Sequence, residues 1–214
     1  MNPYYKSRFI TFEGIDGAGK STHILQATEW LQRQGHDVIN TREPGGTPLG
    51  EKLRTLVLNE PMDLRTEALL MFASRQEHIR QVIEPALAAG RWVVCDRFSD
   101  ATFAYQGAGR GLDWHRLDTL ESWVQGDLRP HLTFLFDLDP MVAVQRTKRR
   151  AGDCDKFEIE SHAFFTRVRQ GYLQRAHNEP DRFVRIDAAQ PMDRVKQMVL
   201  QALATATDRW DVQG

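Results

Sequence analysis

Phe9–Thr22, FITFEGIDGAGKST, decides how the rest of the chain is read. Residues Gly14, Ile15, Asp16, Gly17, Ala18, Gly19, Lys20 and Ser21 match the pattern of a glycine, four residues, then Gly-Lys and a Ser or Thr. The apolar run Phe9–Phe12 before them predicts a strand, and Lys20–Gln34 after them predicts a helix stopped by Gly35. That frame matters more than the pattern, because a chance glycine-rich turn does not open a helix. Glycines let such a loop curl its backbone N–H groups around phosphate. The helix N-terminus adds partial positive charge at the same point. Lys20 is then placed to reach the β- and γ-phosphates of a nucleoside triphosphate, and the Ser21 hydroxyl to ligate Mg²⁺.

Outward from this loop, Val38–Thr41, Trp92–Cys95, Leu132–Phe136 and Phe183–Ile186 predict four more strands. Helical patterns fill the intervals: Leu64–Ala89, interrupted near Pro85, then Trp114–Gln125, Pro140–Arg150, Glu158–His177 and Met192–Thr207. Strands alternating with helix-length segments predict an α/β fold of the P-loop NTPase type, with a five-stranded parallel sheet and helices on both faces. No repeat or linker divides residues 1–214, so one domain is expected.

The totals exclude several classes. A net charge of −1 leaves no electrostatic footprint for nucleic acid. No window reaches the ~20 apolar residues of a membrane helix, and Met1–Arg8 lacks the apolar stretch of a signal peptide. Cys95 and Cys154 make neither a CxxC nor a Cys/His metal spacing. A soluble cytoplasmic protein with reduced thiols is expected. No NKxD follows a strand, which argues against a guanine-nucleotide switch.

A second strand end carries Asp96-Arg97. An isolated Asp-Arg there is usually a surface ion pair. Beside a phosphate loop, Asp96 can hold Mg²⁺ through water, and Arg97 can grip a phosphate in bidentate fashion.

The segments GIDGAGKST, REPGGTPLGEKLR (Arg42–Arg54), LLMFASRQEH (Leu69–His78) and DRFSDATFAYQGAGRGL (Asp96–Leu112) together resemble the thymidylate kinase family, in its order and at about its spacings. The resemblance runs from Phe9 to the turn at Asp187. It implies ATP and dTMP as substrates, Mg²⁺ and a homodimer. ATP would lie along Gly14–Thr22, with Arg146 against the adenine and the backbone of Ala188 and Ala189 near its edge. Arg97 and Arg54 would hold the acceptor phosphate, and Arg75 would donate to thymine O4. Thr102 and Gln106 would address the base edge, and Tyr105 would leave no room for a 2′-hydroxyl. Asp16 and Glu43 resemble acids placed near the sugar 3′-hydroxyl and the acceptor phosphate.

Two positions depart from the family pattern. Where many relatives carry a thymine-stacking aromatic residue, this chain has Met71 followed by Phe72. Neighbours on a helix point about 100° apart, so only one of them fills the slot, and Phe72 is favoured. Phe98 replaces a tyrosine or histidine, which removes any hydrogen bond from that side chain.

Arg146-Thr-Lys-Arg-Arg150 places four positive charges in five residues, ahead of Gly152-Asp153. Such a run is most often a solvated helix face. Here it ends a helix after the fourth strand, where a lid over about 147–157 is expected. Gly17 stands where one branch of the family has a loop arginine. The resemblance is therefore to the branch whose catalytic arginine sits in the lid, with Arg149 and Arg150 as the candidates.

Overall fold

The structure, a computed structural model, describes residues 7–151 and 158–213, with side chains described in those ranges except at 147–151, 158–161 and 213. Strands β1 (Phe9–Glu13), β2 (Val38–Arg42), β3 (Trp92–Asp96), β4 (Leu132–Asp137) and β5 (Phe183–Asp187) form one parallel sheet in the order β2-β3-β1-β4-β5. Each runs one residue past its apolar stretch, and each added residue is charged: Glu13, Arg42, Asp96, Asp137 and Asp187. The apolar run marks most of each strand; the strand carries one charged residue further, to the edge where ligands bind in sheets of this kind.

β1 is buried along its whole length, and its side chains alternate between two surroundings. Ile10 and Phe12 join the larger core, where the Phe12 ring lies 5.0 Å from that of Phe134 and 5.9 Å from that of Phe136. Phe9, by contrast, packs with Ile79, Ile83, Val93, Cys95 and Phe98. Its face-mates Thr11 and Glu13 are polar and equally buried, which sets up the site.

Helix α1 (Lys20–Arg33) opens from Gly19, which is left-handed at φ 88°. Helix α2 (Pro48–Asn59) was not expected. It starts on a Thr47 cap that accepts from the Gly50 N–H at 2.9 Å, with Pro48 in the first turn where its missing N–H costs nothing. Helix α3 (Leu64–His78) passes through a π turn, Ile79–Ile83, into α4 (Glu84–Ala88). The interruption expected at Pro85 therefore falls one turn earlier, because the proline ring and absent N–H disturb the turn that precedes them. Beyond β3, α5 (Ser99–Thr102) widens into a second π turn, Phe103–Gly109, in a segment with no predicted helix. Its support is tertiary: a Cβ added at Gly171 would meet the Ala108 Cβ at 2.6 Å and the Ala104 Cα at 2.9 Å. Gly171 lies in α8 (Glu158–Asn178), so the two backbones approach as only glycine permits. Helices α6 (Trp114–Gln125), α7 (Pro140–Ala151) and α9 (Met192–Gln213) complete the layers, the last running past the expected Thr207.

Candidate active site

One cavity of about 1090 Å³ opens along the carboxyl ends of the strands. Single-ligand pockets commonly hold roughly 300–1,000 Å³, so there is room for two nucleotides side by side. The phosphate loop forms its middle wall. Gly14 sits behind the wall at φ 136°, where a Cβ would stand 2.5 Å from the Phe136 carbonyl oxygen, so the loop packs onto β4 only with glycine there. Ile15 is buried behind the loop. Asp16, Gly17, Ala18, Gly19, Lys20, Ser21 and Thr22 line the cavity itself. Lys20 Nζ folds back on the loop and donates to the Gly14 carbonyl at 3.0 Å and that of Ile15 at 3.4 Å. Burial and then Arg97 push its ammonium down to about 8, against Asp96, Asp16 and Glu13.

Arg97 faces the loop. Among the described residues it is the one non-glycine with positive φ, at 69°. L-residues rarely adopt that region, and such strain gathers at functional sites. Its guanidinium donates from Nη2 to Asp16 Oδ1 at 2.8 Å and to the Tyr105 hydroxyl at 2.9 Å, and from Nη1 to the Tyr172 hydroxyl at 3.0 Å. The Tyr105 hydroxyl in turn donates to Asp16 Oδ2 at 3.1 Å. Partial desolvation would raise the Asp16 carboxyl; Arg97 and Lys20 outweigh it and hold the group below the usual carboxylate range. Beside Arg97, Asp96 lines the cavity with a buried Oδ1 that has no hydrogen-bond partner.

At one end of the cavity, α3 presents Arg75, which is wholly buried. Its Nε donates to Glu43 Oε2 at 2.7 Å, and its Nη2 to the Phe98 carbonyl at 3.1 Å and the Thr102 hydroxyl at 3.0 Å. The remaining nitrogen, Nη1, is buried with no partner, in a residue that lines the cavity. Gln106 mirrors it. Its Nε2 donates to Glu67 Oε1 at 2.7 Å, and since a carboxylate only accepts, the amide orientation is fixed. That leaves Gln106 Oε1 as a buried acceptor without a partner. One unpaired donor and one unpaired acceptor therefore stand at the same end. Glu67 also accepts from Arg110, and Arg54 donates to the Pro44 carbonyl at 2.9 Å while lining the cavity.

At the other end, Arg146 Nη1 donates to the Ala188 carbonyl at 3.0 Å, and both residues line the cavity together with Ala189.

Residues 12–199 match the family model described as thymidylate kinase. A thymidylate kinase from Paraburkholderia xenovorans is 56% identical over 203 residues, 93% of this chain and 98% of its own. One from Burkholderia cenocepacia is 58% identical over 201 residues, covering 92% of this chain and 97% of that one. The chain belongs to the thymidylate kinase family. The crystal structure of thymidylate kinase from Ehrlichia chaffeensis agrees in architecture, with a TM-score of 0.76 at 36% identity over 92% of this chain and 98% of that one.

Two of the residues expected at the acceptor site, Phe72 and Thr102, do not line the cavity. Met71 lines the cavity, whereas Phe72 is turned into a cluster with Ala68, Phe103 and Leu117. This reverses the preference for Phe72: the register of α3 gives the aromatic ring to the core and the thioether to the cavity. The Arg75 guanidinium lies over the Phe72 ring at 4.8 Å, so Phe72 supports Arg75 from behind. Thr102, fully buried, also stands one layer back, as an acceptor for Arg75. The side chains of Arg149 and Arg150, with Cys154 and the Gly152-Asp153 tip, lie outside the described residues.

Sequence reasoning missed Glu13, Glu67, His78, Asp100 and Tyr172. Glu13 had a signal, since an acid that ends a phenylalanine-rich strand next to a phosphate loop is buried by its neighbours. The others belong to helices whose facing partners are far away in sequence.

Proposed function

We propose that this chain transfers the γ-phosphoryl group of ATP to dTMP, giving ADP and dTDP. The single observation that carries this reading is the shared cavity. It joins the phosphate loop to an end bearing one unpaired donor, Arg75 Nη1, and one unpaired acceptor, Gln106 Oε1, with Arg97 between them.

Thymine offers an acceptor at O4 beside a donor at N3–H, the complement of that pair. Cytosine reverses both. Arg75 would donate to O4, Gln106 would accept from N3–H, and Met71 would cover the ring. Tyr105 would close the space beside the sugar, with Asp16 and Glu43 near the 3′-hydroxyl and the acceptor phosphate. Arg97 and Arg54 would hold that phosphate. Arg97 is paired with Asp16, so the phosphate displaces one anion from the guanidinium by another. Lys20 and the loop N–H groups would hold the donor phosphates, and Arg146 with Ala188 and Ala189 would frame the adenine. Transfer then needs alignment and charge stabilisation more than covalent chemistry.

Mg²⁺ fits the residues present. Asp96 Oδ1 is a buried oxygen without a partner, and Ser21 lies on the same cavity. Both are the hard oxygen donors this ion takes. Ser21 would hold it directly and Asp96 through water; bound there, it neutralises charge on the β- and γ-phosphates. The lid over about 147–157 would bring Arg149 or Arg150 to the transferring group, within one domain spanning 1–214. A homodimer is what the family resemblance suggests, and it is proposed on that ground. A cytoplasmic setting accords with the absence, among the described residues, of any helix long and apolar enough to cross a membrane.

The test is ADP release from ATP and Mg²⁺ across dTMP, dUMP, dCMP and dGMP. dTMP is expected to be best. Loss of the methyl in dUMP should cost about 10–200-fold in kcat/KM, and the reversed hydrogen-bond pattern of dCMP about 10⁴-fold. A preference for dCMP would overturn the assignment.

A further inference from the structure

We infer that Glu13 is a positioning residue for Arg97, acting as a buried acceptor that holds the left-handed backbone from which the phosphate-binding guanidinium projects. This rests on the reading that Arg97 binds the acceptor phosphate.

The carboxyl of Glu13 is wholly buried at the end of β1, on the face it shares with Thr11. Its Oε1 accepts the Phe98 N–H at 2.6 Å. The direction of that N–H is set by ψ of Arg97, because the two residues share a peptide plane. The preceding peptide is held by the Arg97 N–H, which donates to the Phe12 carbonyl at 3.0 Å; in the same peptide as the Phe98 N–H, the Arg97 carbonyl accepts from Cys95 Sγ at 3.0 Å. The peptide groups on both sides of Arg97 are therefore tied down, the second by Glu13 at its N–H and by the weaker thiol donor of Cys95 at its carbonyl. Without Glu13, Arg97 can relax from φ 69° towards the ordinary region. The guanidinium would then lose its hydrogen bonds to Asp16, Tyr105 and Tyr172.

The chemistry required of Glu13 is acceptance, not charge. Oε2 makes no well-formed hydrogen bond, although the Tyr172 hydroxyl is near enough to favour the charged form. Burial, and then Asp100, push the group up to about 8, against the pull of Arg97 and the Phe98 N–H. An amide in this place offers the same Oε1 to Phe98.

Two variants separate acceptance from space-filling. Glu13→Leu keeps the volume and removes the acceptor; it is expected to raise KM for dTMP about tenfold or more, the effect of leaving a buried N–H without its partner. KM for ATP should stay within about threefold, since the loop keeps its own contacts. Glu13→Gln should stay within about threefold of wild type for both substrates. The deciding measurement is a double-mutant cycle with Arg97→Ala, read as kcat/KM for dTMP. If Glu13 acts through Arg97, Glu13→Leu adds little once Arg97 is gone. Additive losses would overturn the inference, as would a Glu13→Gln enzyme as impaired as Glu13→Leu. Should Glu13→Leu fail to fold, Glu13→Gln decides alone, and a tenfold loss there is the overturning result. If Arg97→Ala by itself left dTMP kinetics unchanged, the fault would lie in the phosphate assignment of Arg97 instead.

Discussion

Arg75 Nε lies 2.7 Å from Glu43 Oε2, and neither side chain reaches solvent. The second carboxylate oxygen of Glu43 is bonded to His78 Nδ1 at 2.9 Å, and His78 Nε2 to the Thr41 hydroxyl at 2.6 Å. A chain of four groups thus runs from β2 to Arg75, whose Nη1 has no partner. Removing one member of a buried pair strands the other's charge, at a cost of about 3–5 kcal/mol. Glu43→Ala is therefore expected to lower unfolding stability by about that much in urea, with Glu43→Gln losing less because it can still accept. A loss under about 1 kcal/mol for Glu43→Ala would mean that Arg75 finds another partner. Arg75→Ala should also shrink the dTMP-to-dCMP preference by at least about tenfold, the discrimination a buried hydrogen bond supplies.

Met71 and Phe72 are neighbours in sequence with opposite duties in the structure. Met71→Ala should raise KM for dTMP more than Phe72→Ala does, because its side chain borders the cavity, although a side chain only 8% exposed also costs stability when removed. Phe72→Ala should cost more stability, about 3–5 kcal/mol from the hole left among Ala68, Phe103 and Leu117, and should touch dTMP only through Arg75. If the two phenotypes were exchanged, the register of α3 would be one residue away from that described.

This pair also shows where the sequence stops being informative. The phosphate loop and five strands were legible because apolar runs and glycine patterns act locally. Lys20, Arg75, Arg97 and Gln106 were legible as a set through the motifs that carry them. The facing of Met71 against Phe72 was not, since it depends on how α3 packs on Phe103 and on Leu117 in α6. Nor was the helix over Ser99–Thr102 and its π turn, whose glycines read as loop until Gly171 of α8 lies against Ala104. Glu13 stands in the sequence as a charged residue after an apolar run, with nothing local to mark its partner. Only the pairing of β1 with β3 brings it beneath Phe98.

Lys20 makes the alkaline behaviour predictable. With its ammonium at about 8, the unliganded protein loses this charge as pH rises past that value. ATP binds the charged form, so kcat/KM for ATP should be level below pH 7.5 or so and fall towards tenfold per unit well above 8. The measurement is kcat/KM for ATP from pH 6 to 10 with dTMP well below its KM, so that the unliganded protein is the form observed. In Lys20→Arg, whose guanidinium does not titrate in this range, the alkaline limb should flatten even though turnover is lower. A wild-type profile level to pH 10 would show that Lys20 stays charged and that its burial is relieved in solution.

Asp100 is the anion on which the segment after β3 is anchored. Its Oδ1 accepts from Arg175 Nε at 2.7 Å and Arg182 Nη2 at 2.8 Å, and its Oδ2 from Arg182 Nη1 at 2.8 Å. Arg175 also donates to Glu121 at 3.1 Å, so α5, α6, α8 and the turn before β5 meet at one buried cluster. Burial alone would raise the Asp100 carboxyl; Arg182 and then Arg175 outweigh it and bring it to about 2. The unfolded chain takes up this proton near pH 3.9, well before the native protein does. Stability from the cluster is therefore complete above about pH 4 and is lost as pH falls towards 2. Asp100→Ala leaves two buried guanidinium groups short of an anion and should cost about 3–5 kcal/mol at neutral pH. Because the variant has already lost this interaction, its stability should also fall less steeply than that of wild type between pH 4 and 2. Urea unfolding of both proteins at pH 7, 4 and 3 measures the two effects together. Parallel acid curves for wild type and Asp100→Ala would show that the acid-sensitive stability resides in other carboxylates, even if the neutral-pH loss were as large as expected.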